Sequence, residues 1–262
     1  MSNNTHGAEN GKLVRPVDAG ASGAVARTPG VDPAIARNEI SFNAVAKVYD
    51  DAYLGGKWLA QREQPSPFLT PDTMQRALDG YHTRHGLLWS YGGYLENRTE
   101  LWRGSYLSCL PGEFLHAGID INLPAKSPVV CTRGGIVRVV GHDCDTQGGW
   151  GPYVVVETHR NGVKEFALYA HLGGVSVHKG EKLEPFAVIG ETGAPPQTGG
   201  WWSHLHIQLI EERYFMWCHQ QGLMDVLDGY FEKSAEKFYR PVFPDPVDLV
   251  WDPELAPRRG QS

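Results

Sequence analysis

The run His116-Ala-Gly-Ile-Asp120 is answered far downstream by His204-Leu-His206, with Tyr169-Ala-His171 between them. Four histidines and one aspartate are the ingredients of a mononuclear metal site with acid–base groups beside it. Imidazoles with a carboxylate suit zinc better than calcium or magnesium, which prefer shells made wholly of oxygen. Three protein ligands and one open position mark a catalytic zinc site, whereas structural sites usually close with four. His116, Asp120 and His206 supply such a set, leaving His171 and His204 for proton transfer or for stabilising an oxyanion. A non-haem iron triad also uses two histidines and a carboxylate, but it leaves His171 and His204 without a task.

Strand alternation decides which of these side chains can share a site. From His116 to Leu123 the even positions His116, Gly118, Asp120 and Asn122 form a polar face. Ala117, Ile119, Ile121 and Leu123 form the apolar one. Gly118 leaves space for a ligand or another backbone. His204, His206 and Gln208 stand opposite Leu205, Ile207 and Leu209. The same rule sets Tyr169 and His171 opposite Phe166, Leu168 and Ala170. The pattern calls for a groove across a sheet, with Tyr169, Asn122 and Gln208 as neighbours that orient ligands or face substrate. Trp150, Trp201 and Trp202 fall in flanking loops and are candidates to wall it.

Around these stretches the period of the apolar residues changes twice. Residues 1–32 are rich in Gly, Ala, Asn and Pro and predict a flexible arm. Residues 33–110 predict a helical extension. A first helix starts at Asp32-Pro33, and a second starts at Thr70-Pro71-Asp72 and runs through Met74, Leu78 and Tyr81. Residues 111–211 read with period two as a mainly antiparallel β-domain. Its strands are expected over 114–123, 129–140, 153–158, 166–172 and 204–210. Asn161-Gly162 between apolar strands is a strong hairpin signal. Residues 212–262 predict a helix over about 223–238 and a Pro-rich tail draped on the surface. The fold class is thus mainly β with α additions.

Bulk properties bound the partners. A net charge of −6 from 30 acids and 24 bases, with no long basic run, argues against nucleic acid. No stretch approaches a membrane span. The first twenty residues lack an apolar core for a secretory signal, so a cytoplasmic location is expected. Cys109, Cys131, Cys144 and Cys218 are then read as thiols, and their spacing forms no zinc ribbon.

The three elements together resemble the catalytic domain of the lysostaphin-type zinc metallopeptidases, whose pattern is HxxxD, Tyr-x-His-Leu and HxH. The glycine framework resembles it too, in Gly134 to Gly141 and Gly180 to Gly193. The likeness runs over residues 112–210. It implies an antiparallel sheet with a groove (a duplicated hybrid motif), one Zn²⁺ per chain on His116, Asp120 and His206, and His171 and His204 as the non-ligand pair. It also implies hydrolysis of a peptide or other amide bond. Known members are mostly exported and cut bacterial wall peptides.

Here the segment 94–114 and Phe243-Pro-Asp-Pro246 resemble instead a cytoplasmic branch found beside kinase-like and aminotransferase domains. That favours a small polar or anionic intracellular substrate, or a short peptide. Arg98 and Arg103 are the candidates to meet its carboxylate or phosphate. His204 is the expected base and His171 the expected oxyanion donor. A zinc-dependent lyase acting on a small metabolite is the alternative, and a non-catalytic zinc-binding scaffold a second one. The extensions are expected either to cap the groove or to form a homo-oligomer interface.

Overall fold

A computed structural model describes residues 33–61, 63–105, 112–224 and 227–250. The expected arm and Cys109 lie outside the described residues.

The N-terminal extension contributes helices α1 (Pro33–Ala36), α2 (Phe42–Tyr49) and α3 (Pro71–His85), with strands β1 (Glu39–Ile40) and β2 (Ser90–Gly92). Ser41 caps α2 by accepting a hydrogen bond from the Asn43 amide, and Pro71 starts α3. Gly86, left-handed at φ 64°, ends α3.

The β-domain follows with β3 (Phe114–His116), β4 (Ile119–Asn122), β5 (Pro128–Cys131), β6 (Gly135–His142), β7 (Pro152–Arg160) and β8 (Val163–Ala170). It continues with β9 (Leu172–Val175), β10 (Lys182–Leu183), β11 (Ala187–Thr192) and β12 (Leu205–Glu211). The chain then forms α4 (Glu212–Gln221), β13 (Tyr230–Glu232) and α5 (Glu236–Val242).

Eight strands make one sheet in the order β1-β2-β4-β12-β8-β7-β6-β10, antiparallel except for the β1–β2 pair. A three-stranded sheet, β5-β11-β9, packs against it, and β13 pairs with β3. The β7–β8 turn is the Asn161-Gly162 hairpin, both residues at positive φ, as a two-residue turn of matching twist requires. The extension does not sit apart as a helical layer. Its strands β1 and β2 continue the large sheet beyond β4.

Alternation splits the core into two faces of the large sheet. Ile119, Ile121, Val154, Val156, Ala167, Tyr169 and Ile207 face the small sheet. Val155, Phe166, Leu168, Ala170 and Ile210 face Phe215 of α4 and Phe231 of β13. A third cluster joins α2 and α3 to Trp102, Phe114 and Trp202.

Three expected strands are each broken once. The 114–123 run breaks at Ala117-Gly118, 129–140 at Thr132-Arg133-Gly134, and 166–172 at His171. The helix expected over 223–238 is absent among the described residues. Gly222, at φ 69°, closes α4, and residues 230–232 pair with β3 instead. The tail is not draped on the surface either, because Phe243, Leu249 and Val250 are buried in the two faces of the core.

Candidate metal centre and active site

β4 and β12 lie side by side, with Asp120 directly opposite His206 in register. Ile119 and Ile121 turn to the small sheet, so Asp120 turns to the other face, where His206 and Gln208 stand. His116 arrives from the end of β3 across the Ala117-Gly118 break. Gly118 is required there. A Cβ would meet the Ile207 carbonyl at 2.4 Å and the His206 ring at 2.7 Å. We expect Gly118→Ala to displace His206, cost about 1–3 kcal/mol by overpacking, and weaken zinc binding at least tenfold. Urea unfolding and a chelator-competition titration read the two effects separately.

His116, Asp120 and His206 are buried, and their ligand atoms lie within 4.8 Å of one another. His206 Nδ1 is 2.9 Å from Asp120 Oδ1, and His116 Nε2 is 3.4 Å from the same oxygen. The opposite nitrogens are committed elsewhere. His206 Nε2 donates to Gln208 Oε1 at 3.1 Å, and His116 Nδ1 donates to the Gly93 carbonyl at 3.4 Å. Those bonds fix the tautomers that leave His206 Nδ1 and His116 Nε2 free as donors to a metal.

His204 and His171 stand beside this triad with ring centroids 4.5 Å apart. His204 Nδ1 donates to the Trp202 carbonyl and His171 Nδ1 to the Thr198 carbonyl, each at 2.9 Å. A carbonyl can only accept, so both rings carry their proton on Nδ1 and present a bare Nε2 to the cavity. His204 Nε2 is 3.6 Å from Asp120 Oδ1. The indole of Trp202 stacks on His204 at 4.4 Å, and its N–H donates to Asn122 Oδ1, whose amide donates to Ser90. Asn122 therefore positions His204 through Trp202.

Burial shapes the protonation states. It pushes His116 down, with Arg98 adding to the effect, to about 3. It pushes His204 to about 4 against the pull of Asp120, and His171 well below its ordinary value beside His204 and His206. For Asp120 burial acts upward, but His116, Arg98 and His204 outweigh it and hold the carboxyl well below its usual range. The site thus offers one carboxylate with neutral imidazoles at His116, His171 and His204, so protons do not compete for these atoms near neutrality.

Stability of the metal-free protein should follow. The unfolded histidines titrate near 6.5, so between that pH and about 4 the unfolded chain binds more protons than the folded one. Folding stability is full above that window and falls as the pH falls through it. Urea midpoints in the presence of chelator should drop between pH 7.5 and pH 5. A flat profile would contradict neutral, buried imidazoles.

The cavity beside the histidines has a volume of about 370 Å³. Trp150, Trp201 and Tyr230 contribute aromatic walls, and Asp143, Asp145 and Asp228 contribute carboxylates. Sequence reasoning missed all three acids and Tyr230. Asp143 accepts the Asp145 and Trp150 amides and so also shapes its own loop.

Three expected site residues lie elsewhere. Tyr169 is on the opposite face, buried against Cys131, because Ala170 rather than Tyr169 is beside His206 in register. His171 reaches the site only by leaving the strand. Its φ of 64° breaks the alternation that had grouped it with Tyr169. Arg103 packs over the Trp58 ring and pairs with Glu100, away from the cavity. Arg98 is fully buried and cannot meet a substrate. Its Nη1 donates to Asp120 Oδ2 at 2.5 Å.

No helix among the described residues is long and apolar enough to cross a membrane. Residues 114–216 match the family model of Peptidase family M23. No curated protein matches the chain. Solved structures similar to it include the catalytic domain of a prophage-encoded M23 protein of Enterococcus faecalis. That match has 23% identity, covers 37% of this chain and 69% of that one, and has a TM-score of 0.32. The catalytic domain of lysostaphin from Staphylococcus simulans matches at 18% identity, 51% and 77% coverage and a TM-score of 0.35. A zinc-containing peptidase from Vibrio cholerae matches at 32% identity, 36% and 26% coverage and a TM-score of 0.31. Over the stretch from Phe114 to Met216 the chain is similar to Peptidase family M23.

Proposed function

We propose that the chain is a zinc-dependent peptide hydrolase whose metal sits on His116, Asp120 and His206, one ion per chain. The observation that carries this reading is the pairing of a buried three-ligand set with two further imidazoles whose free nitrogens face the same cavity. The donor set fits the ion. Two imidazoles and one carboxylate leave a fourth position open, as catalytic zinc sites do. When bound, zinc supplies Lewis-acid polarisation of the scissile carbonyl and activation of water near neutral pH.

The remaining work falls to the chain's own side chains. A water between His204 and His171 can donate one hydrogen to each bare Nε2, which fixes its lone pair toward the carbonyl carbon. His204 takes the proton, since the carboxylate of Asp120 at 3.6 Å favours its charged form. The resulting imidazolium then donates to the departing amine. His171, expected from sequence to donate to an oxyanion, carries no proton on Nε2 in this arrangement. It acts as the second acceptor that aims the water.

The cavity's carboxylates, with no lysine or arginine on its walls among the described residues, favour an uncharged or amine-bearing short peptide over an anionic compound. Zinc-loaded protein incubated with short neutral, cationic and anionic peptides tests this by mass. Products of the first two should sum to the peptide plus one water. Products that sum to the substrate alone would indicate elimination, and no cleavage of any peptide by zinc-loaded protein would overturn the hydrolase reading.

A further inference from the structure

The outer support of this centre comes largely from outside the family-matched segment. Residues 95–98 lie antiparallel along β3. The Leu95 amide bonds to the His116 carbonyl at 2.9 Å, the His116 amide to the Glu96 carbonyl at 3.0 Å, and the Arg98 amide to the Phe114 carbonyl at 3.0 Å. That register sends the Arg98 side chain under β4. There Nη1 meets Asp120 Oδ2, while Nε donates to Glu96 Oε2 at 3.1 Å. Glu96 in turn accepts the Phe42 amide at 2.7 Å, at the start of α2. The Phe42 ring lies 4.3 Å from the guanidinium, and Gly92 leaves room for it, since a Cβ would meet Nη2 at 2.5 Å.

Asp120 therefore has its two oxygens divided. Oδ1 faces His206, His116 and His204, and Oδ2 is held from behind by a cation with no exposure to solvent. Gly93, also in the extension, holds His116. We propose that Arg98 is a positioning residue of the metal centre, fixing Asp120 as a one-oxygen ligand, so that the extension is an integral part of the catalytic unit. This rests on the metal site proposed above.

Arg98 cannot be replaced by any smaller cation without loss, because only a forked guanidinium spans Glu96 and Asp120 together. Without it, the outer oxygen of a buried carboxylate has no donor, and the group turns toward His204 and His206 or presents both oxygens to the metal. Charge alone predicts the opposite outcome. Removing a cation near a metal site tightens metal binding electrostatically. The sign of the change thus separates positioning from simple charge.

The test uses the full chain in three forms: wild type, Arg98→Met and Arg98→Lys. Zinc affinity is measured by chelator competition, the visible spectrum of the cobalt-substituted protein reports coordination, and circular dichroism monitors the fold. Arg98→Met should bind zinc about 10–100-fold more weakly, the usual scale for losing an outer partner of a ligand. Its cobalt bands should weaken as Asp120 adds its second oxygen. Arg98→Lys should fall between. A folded Arg98→Met with unchanged or tighter zinc binding and an unaltered cobalt spectrum overturns the proposal. If Arg98→Met does not fold, wild-type affinity and spectrum in Arg98→Lys overturn it equally. Failure of the wild type to bind zinc sinks the metal reading instead, and so is distinguishable.

Discussion

Asp120→Ala, His116→Ala and His206→Ala should each leave the purified protein nearly free of zinc and without measurable peptide cleavage. Each removes one of the three proposed protein ligands, so the ion would lose a third of its protein shell and the remaining geometry could not close. Asp120→Ala carries a second penalty. It strands Arg98, whose guanidinium has no exposure and would keep only Glu96, and breaking a buried pair this way costs about 3–5 kcal/mol. Asp120→Asn keeps the shape and a hydrogen-bond acceptor for Arg98, so it separates loss of metal from loss of fold. Metal analysis after dialysis, alongside thermal unfolding, reads both. Undiminished zinc in Asp120→Asn and Asp120→Ala would falsify the ligand assignment.

Loss of either bystander histidine should do the reverse, sparing the metal and removing turnover. His204→Ala should lower kcat by about 10²-fold or more, the scale of losing a proton-transfer group in the transition state. Zinc affinity should be unchanged. His171 needs a different substitution, because its backbone is left-handed at φ 64° and alanine is strained there. Asparagine tolerates that conformation, so His171→Asn isolates the imidazole from the backbone. It should also lose about 10²-fold, since a water held by one acceptor is no longer aimed. Zinc loss in His204→Ala or His171→Asn would make that residue a ligand, and retained turnover would remove it from the chemistry.

How much of this could be read from residues alone follows the physics of each element. Asp120, His206 and Gln208 were legible because period-two alternation holds without interruption through β4 and β12. Tyr169 was misplaced because alternation cannot foresee a residue at positive φ, and His171 is such a residue. Asn122 was expected beside the site, and its link to His204 runs through the Trp202 N–H, which comes from a loop whose path no local pattern encodes. Arg98 illustrates the limit most clearly. From sequence it reads as a candidate to meet a substrate carboxylate or phosphate, and only the pairing of 95–98 with β3 reveals it as buried behind Asp120. The helix expected over 223–238 failed because strand pairing with β3 outweighed local propensity for Tyr230 to Glu232.

The burial of Phe243 on one face of the large sheet, and of Leu249 and Val250 on the other, sets a schedule for making the protein. A chain emerging from the ribosome can pair β4 with β12 as soon as β12 is out. The cover on each face stays incomplete until some forty residues later, when the 243–250 stretch crosses from one side to the other. The Tyr94 hydroxyl, donating to the Phe243 carbonyl, and Arg160, donating to the Asp245 carbonyl, wait for the same arrival. A ribosome stalled before Val250 would hold a sheet with its buried histidines assembled and its apolar sides only partly covered. Such a nascent chain is a natural client for chaperones that cover apolar strands.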